Sequence, residues 1–359
     1  MPAAETLRFL LVGEWQAEFH EAAWAKGLER AGHEVIPFRW FEPLHPKGTI
    51  PKALARVQNR LLCGPALRRL NDDLLDLARR ERPDAVVLYR GTHIFPATLH
   101  RLRVQAPAPL LVSYNNDDPF SPRASRMLWR HYLRGLRYTD VNLAYRHKNV
   151  RDLERLGARE VRLVRSAFDP DKDRPIDISE EERLAFSSDV VFVGHFEPDG
   201  RLEHLRALSE SGVDLKLFGP DWSRAPREPW LARFQPIRPL RGDDYVKAIQ
   251  CAKIALCFLS TLNHDTYTRR CFEIPAIGTM LLCQRTDDMT SMLAPGVEAD
   301  YFESPAELCA QVARYLADEA KRRAVAGAGH CRVREGGHDV FSRMKSVERI
   351  VRDAIARRE

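Results

Sequence analysis

Residues 7–40, LRFLLVGEWQAEFHEAAWAKGLERAGHEVIPFRW, begin with an apolar run closed by Gly13, pass through helical spacing and end in a second strand-like run. A continuous apolar run of this length fits a strand covered on both faces, and the segment after it has apolar residues at three- and four-residue intervals. The stretch therefore predicts a βαβ unit, which implies a parallel sheet. The same alternation continues through PDAVVLYRG, PLLVSYN, DVNLAY, NVRDLERLGA and EVRLVR. Near SAFDPDKDRPIDISEEE the composition turns acidic, proline-bearing and irregular, as in a linker centred on about residues 169–182. A new series follows: DVVFVG, RLEHLRALSESG, VDLKLFG, YVKAIQCA, KIALCFL and TMLLC.

Two such series predict two doubly wound, Rossmann-like parallel-sheet domains facing a central cleft. The expected division is 1–172, 173–340 and a C-terminal helix, 341–359, packing back toward the first domain. A chain of 359 residues exceeds what one ordinary core holds, which agrees with two domains. Ligands of open α/β sheets bind at the carboxyl ends of the strands, so those ends are where binding residues are sought.

Composition narrows the class. Hydrophobic residues at 44% and charged residues at 30% describe a soluble globular chain, and no apolar run approaches the roughly 18 residues of a membrane span. The start, MPAAETLRFLLVG, lacks the order of a secretory signal, so a cytoplasmic protein is expected, with peripheral contact at the inner membrane face as a further possibility. Seven scattered cysteines without C-x-x-C spacing predict thiols rather than disulfides or zinc. The formal charge of +6 is compatible with anionic small molecules, an anionic membrane or nucleic acid and selects none of them.

The segment DTYTRRCFEIPAIGTMLL, Asp265–Leu282, places Glu273 within an otherwise apolar run. A carboxylate removed from water needs a partner, so Glu273 is either a surface helix-start acid paired with Arg270 or an acceptor for ligand hydroxyls. The helix start itself offers backbone N–H groups suited to phosphate oxygens.

With VVFVGHFEPDGRLEHLRAL, LKLFGPDW and the tail DMTSMLAPGVEADYFESPAELCAQVARYLADEAKRRAVAGAGHCRV, this segment resembles the C-terminal domain of GT-B-fold glycosyltransferases. The nearest pattern is the CgeB-like, spore-maturation type branch, related to the retaining group 1 transferases, which carry two acidic residues with seven between them. The resemblance covers about residues 188–345, and the N-terminal half only in pattern. It implies a metal-independent, retaining, hexosyltransferase-like enzyme of polysaccharide biosynthesis that takes a sugar from a nucleotide-diphosphate donor to a glycan, lipid-linked or other hydroxyl acceptor, with no cofactor. By resemblance, Glu273 binds the donor ribose and Asp265, standing where the family has glutamate, lies near the donor sugar. Thr268 and Arg270 reach the diphosphate, where a fixed guanidinium stabilises leaving-group charge. Gly194, His195 and Arg201 in FVGHFEPDGR face the donor phosphates, against the alternative of a plain strand-to-helix turn. Gly219 and Trp222 in FGPDW lie where a nucleobase stacks, against the alternative of loop packing.

In the first half, SYNNDDPF resembles an acidic D-D-P turn of the CgeB-like group. If the reaction inverts, Asp117 or Asp118 is the general base; the same residues are also ordinary turn formers. Asn115, Asn116 and Glu14 are acceptor-binding candidates. Asp117 and Asp118 are adjacent and point to opposite sides of an extended chain, so they do not form a D-x-D metal site. Residues Asp169, Asp171, Asp173, Asp177 and Glu180 approach calcium-loop spacing, but Arg174 stands where the turn needs glycine. Arg123, Arg126, Arg130, Arg134 and Arg137 recur every three or four residues, a basic stripe that is either a solvated face or a contact for anionic lipid, an anionic acceptor or nucleic acid; nothing else supports nucleic acid. Two other functions fit the same pattern: a sugar-nucleotide epimerase or hydrolase of this fold, and a non-catalytic binding protein with a degenerate transferase fold and a basic docking helix.

Overall fold

The computed structural model describes residues 5–45 and 49–358. The chain forms two compact units, residues 1–166 together with 340–359, and residues 167–339. The first division therefore falls six residues before 172, and the irregular segment read as a linker belongs to the second unit.

The first unit runs β1 (Arg8–Gly13), α1 (Glu21–Arg30), β2 (Glu34–Arg39), α2 (Phe41–Leu44), α3 (Thr49–Leu61), α4 (Pro65–Glu81), β3 (Ala85–Tyr89), α5 (Pro96–Val104), β4 (Leu110–Asn115), α6 (Arg126–Gly135), β5 (Val141–Ala144), α7 (His147–Arg155) and β6 (Glu160–Leu163). Its six strands are parallel in the order β2-β1-β3-β4-β5-β6. Leu67, Leu70, Leu74 and Ala78 recur along one face of α4 and bury against Leu10, Val12, Val86 and Leu88 of the sheet. Each such buried leucine or valine contributes roughly 1.5–3 kcal/mol.

The second unit contains α8 (Glu180–Phe186), β7 (Ser188–Val193), α9 (Arg201–Glu210), β8 (Leu215–Phe218), α10 (Pro229–Ala232), α11 (Asp243–Gln250), β9 (Ala252–Cys257), α12 (Arg270–Ile277), β10 (Met280–Gln284), α13 (Asp287–Met292), β11 (Asp300–Phe302), α14 (Pro305–Ala317) and α15 (Glu319–Glu335). Its parallel order is β11-β10-β9-β7-β8. Leu205 and Leu208 of α9 and Leu308 and Val312 of α14 pack with Phe192, Ile254 and Leu282 of the strands. The short α12 is closed by Gly278, whose φ of +97° is left-handed and easy only for glycine.

The last helix, α16 (Val340–Ala356), belongs to the first unit and packs on α1. A methyl at Gly27 of α1 would come within 2.5 Å of Met344 Cγ, so the glycine permits that approach. His33 Nε2 and Glu348 Oε1 meet at 3.2 Å along the same face.

In each sheet the chain reverses direction once, between β1 and β3 and between β7 and β9. Those reversals open the crevices where open α/β sheets take ligands.

Candidate functional site

In the second unit the crevice at β7 and β9 is built on close backbone packing. Gly219 lies so near the Gly194 carbonyl that an added Cβ would sit 1.9 Å from that oxygen. Gly194 is in turn covered by Arg270, since a Cβ there would meet Arg270 Nη1 at 2.5 Å. Arg270 Nη1 donates to the Val193 carbonyl at 2.8 Å, and among the described residues no carboxylate lies within ion-pair distance of this guanidinium.

The neighbouring arginines differ. Arg201 is 2% exposed, and its guanidinium is committed to Asp199, Glu197 and the His195 carbonyl. Burial pushes the Glu197 carboxyl up, but hydrogen bonds from His195 and Ser260 and the charge on Arg201 outweigh it and hold it below its usual range. His195 is partly exposed and points Nε2 at Glu197 Oε2 across 3.1 Å. Trp222 is buried, with its indole N–H donating to the Gly194 carbonyl at 2.9 Å; its place is in the core under the crevice, not on an open stacking surface.

The backbone at the start of α12 differs from the sequence expectation of free N–H groups. Cys271 and Phe272 N–H groups donate to the carbonyls of Thr268 and Arg269 at 3.1 and 2.9 Å, and Thr268 N–H faces Cys271 Sγ. The lead-in turn satisfies them, which leaves the Arg270 side chain as the cationic element there. Asp265 is half-buried and its N–H closes a turn onto the Ser260 carbonyl at 2.9 Å.

Glu273 is 1% exposed, and its partners come from its own chain. Tyr245 donates its hydroxyl to Oε2 at 2.7 Å, and Arg269 Nη2 approaches Oε1 at 2.5 Å without hydrogen-bond alignment. The surface pairing with Arg270 weighed from the sequence is replaced by a buried pairing with Arg269. Asp173, from the irregular segment, joins this group: burial, and then the nearby Glu273 charge, push its carboxyl up to about 7. Its Oδ2 also accepts from the Asp169 N–H at 2.7 Å. The acidic run at 169–173 thus folds into a turn bonded within itself.

In the first unit the crevice at β1 and β3 gathers residues from three strand ends. Arg90, just past β3, has φ +65°, and Trp15, just past β1, has φ +60°, a costly backbone region for such residues. Arg90 Nη2 pairs with Asp117 at 2.8 Å and Nη1 lies 3.8 Å from Glu14, and all three side chains are roughly one-third exposed. Asn115 Oδ1 accepts from the Asp117 N–H, and Asn116 Nδ2 faces His20 Nε2 at 3.4 Å. Four buried polar atoms here lack hydrogen-bond partners among the described residues: Trp15 Nε1, Arg90 Nε, Asn115 Nδ2 and Asn116 Oδ1. Buried groups in folded chains are nearly always paired, so a concentration of orphans at one set of strand ends marks a place for a polar partner, water or ligand.

Asp118 does not share that position. Its buried carboxylate accepts from the Phe120 N–H and Asn149 Nδ2 and faces Lys148 at 3.3 Å, the pattern of a turn-holding acid. Arg90 was not among the residues singled out from the sequence. The available signal was an arginine before glycine at the end of a fully apolar strand.

Three buried thiols, Cys257, Cys271 and Cys283, lie in mutual reach, with Sγ separations of 3.6 and 3.8 Å for two of the pairs.

Comparison with known proteins adds the family context. Residues 201–349 match a family described as glycosyl transferase-like. No curated protein matches the chain in sequence. Among solved structures, Anabaena HepE in complex with UDP and glucose is similar over 97% of this chain and 100% of its own, with a TM-score of 0.68 at 12% identity. Sucrose-phosphate synthase from Thermosynechococcus elongatus is similar over 98% and 99%, with a TM-score of 0.70 at 13% identity. A glycosyltransferase from Rickettsia africae is similar over 98% and 99%, with a TM-score of 0.69 at 12% identity. The chain has the GT-B fold of two parallel-sheet, Rossmann-like domains, and residues 201–349 carry the sequence pattern of the glycosyl transferase-like family.

Proposed function

We propose that this chain is a glycosyltransferase that moves a sugar from a nucleotide-diphosphate donor to a hydroxyl-bearing acceptor. The observation that carries the reading is Arg270: an arginine with no carboxylate partner among the described residues, held against the backbone of Val193 and Gly194 at a strand-end crevice. Negative charge grows on the diphosphate as the glycosidic bond breaks, and a fixed guanidinium placed there lowers the barrier. The similarity of residues 201–349 to glycosyl transferase-like sequences supports it.

In this reading Thr268 and Arg270 hold the diphosphate beside Gly194, with His195 oriented by Glu197 at the rim. Asp265 lies on the loop that leads to them. Glu273 takes a positioning role, fixing Arg269 and Tyr245 beneath the site, and meets the donor ribose only if those partners give way. Arg201, Trp222 and Gly219 shape the crevice from behind. The first unit takes the acceptor through Glu14, Arg90, Asn115 and Asn116, and the orphaned polar atoms of the last three suit a polyhydroxylated ligand. Retention of configuration and independence of metal belong to the same proposal, the first resting on the Asp265 and Glu273 spacing. Should the reaction invert, Asp117 is the better placed base, since Asp118 is enclosed by Asn149 and Lys148.

The test is a thermal-shift and calorimetric screen of the full chain against UDP-, GDP-, dTDP- and CMP-sugars. A ligand at a hundred times its Kd stabilises the native state by about 2.7 kcal/mol. One sugar nucleotide is expected to produce such a shift in the wild type and not in Arg270→Ala. Undiminished binding in that variant would overturn the assignment of Arg270.

A further inference from the structure

We propose that the first unit docks on an anionic lipid surface through the C-terminal part of α3 and the start of α6. Residues 43–71 contain six Lys or Arg and no Asp or Glu, and residues 119–139 contain five and none, in a chain that averages one acid in seven residues (50 in 359). The fold brings these two acid-free stretches together. Helix α3 packs against α6, and Arg130 of α6 clamps the end of α3 by donating from Nη2 to the carbonyls of Leu61 and Leu62 at 2.5 and 2.7 Å. The same guanidinium reaches Met127 Sδ from Nη1 at 2.8 Å.

The surface so formed is not only basic. Val57 is 54%, Leu61 45% and Met127 42% exposed, three of the eight large hydrophobic side chains exposed among the described residues. Single exposed apolar side chains are unremarkable, but these three share one patch. Val57 and Leu61 lie one helical turn apart and project from the same side of α3. Arg56, Arg60 and Arg126 are exposed beside them, while Ala55 and Gln58 turn inward.

Aliphatic side chains flanked by arginine, in two stretches of sequence without an acidic residue, are the composition of an interfacial helix face. The complementary partner is a bilayer carrying anionic headgroups, into which the aliphatic tips insert while the guanidinium groups meet the phosphates. Nucleic acid fits less well. Single strands are held by stacking on exposed aromatic faces, and the α6 aromatics Trp129 and Tyr132 are buried. This inference stands apart from the proposed transfer reaction, because none of its residues belongs to either crevice.

The experiment is cosedimentation of the full chain with vesicles of phosphatidylcholine alone and of phosphatidylcholine with about one-third phosphatidylglycerol, at low and high salt. Binding is expected only to the anionic vesicles and is expected to weaken steeply with salt. Each arginine near such a surface is worth about fivefold in affinity, so Arg56→Ser, Arg60→Ser and Arg126→Ser together are expected to lose about a hundredfold. Val57→Ser, Leu61→Ser and Met127→Ser together are expected to weaken binding while leaving its salt dependence in place. The sugar-nucleotide thermal shift is expected to be unchanged in both triple variants, which separates this surface from the donor site. Equal binding to neutral vesicles, no binding to anionic ones, or full binding by either triple variant would overturn the proposal. So would equally tight binding of a single-stranded oligonucleotide that the arginine variant abolishes.

Discussion

Replacing Asp173 with asparagine is expected to make the chain more stable at alkaline pH while changing little in mildly acidic solution. The carboxyl is 5% exposed and shares its surroundings with Glu273, and burial together with that charge raises it to about 7 from the usual 3.8. A carboxyl raised in the folded state binds more protons there than in the unfolded chain. Its contribution is therefore fully favourable below the unfolded value and is lost as pH climbs through the folded one. Between about pH 5 and pH 7 the unfolded carboxylate is already ionised while the folded group sheds its proton. At about 1.4 kcal/mol per unit, those two units amount to an estimated 2–3 kcal/mol of lost stability. Asparagine keeps an oxygen for the Asp169 N–H and carries no charge at any of these values. Urea unfolding of wild type and Asp173→Asn at about pH 5, 6, 7 and 8 measures the difference directly, and contributions from histidines cancel in the comparison. A difference between the two proteins that stays constant from pH 5 to 8 would refute the argument, because it would mean that Asp173 is ionised throughout.

Two further perturbations separate shaping of the crevices from their chemistry. Gly219→Ala drives a methyl into the Gly194 carbonyl at 1.9 Å, from a backbone with φ +146°, and is expected to cost about 2–4 kcal/mol in chemical denaturation. An unfolding midpoint within error of wild type would contradict the described packing. Arg90→Ala removes the cation shared by Asp117 and Glu14; transfer to acceptor is expected to fall at least about tenfold while donor binding by calorimetry is unchanged. Loss of donor binding in that variant would argue against the division of roles between the units.

The fold was readable because each parallel strand is an apolar run bounded by turn residues, and burial of both faces leaves that pattern in the chain. RFLLVG, VVLY and DVVFV all lie within described strands. The candidate site was readable only where a side chain and its partner are close in sequence. The adjacent pair Arg269 and Arg270 shows the limit. One residue along a helix start turns a side chain by about 100°, so one guanidinium faces Glu273 and the other faces Gly194, and no local pattern says which. Asp173 was read as part of a solvated linker because its acidic neighbours suggested water; its approach to Glu273 spans a hundred residues of chain. Trp222 looked like a stacking platform, and only the three-dimensional packing shows its N–H turned inward to Gly194. Arg90 escaped because its importance lies in a left-handed backbone and in partners supplied by two other strand ends.

The return of α16 to the first unit has a consequence for biosynthesis. Residues 167–339 are an insertion, and the two chain crossings run side by side where Phe168 donates to the His338 carbonyl at 3.2 Å. The sheet that leaves the ribosome first must wait for its covering helix until residues 340–356 have been made. At about 5–20 residues per second that interval is on the order of ten to thirty seconds. During it Gly27 of α1 and His33 beyond its end have no lid, whereas the inserted unit already holds every strand of its own sheet. The later-synthesised half is thus the one able to complete itself first, and a nascent chain stalled before residue 340 would leave the ribosome with a finished insert carried on an unfinished host.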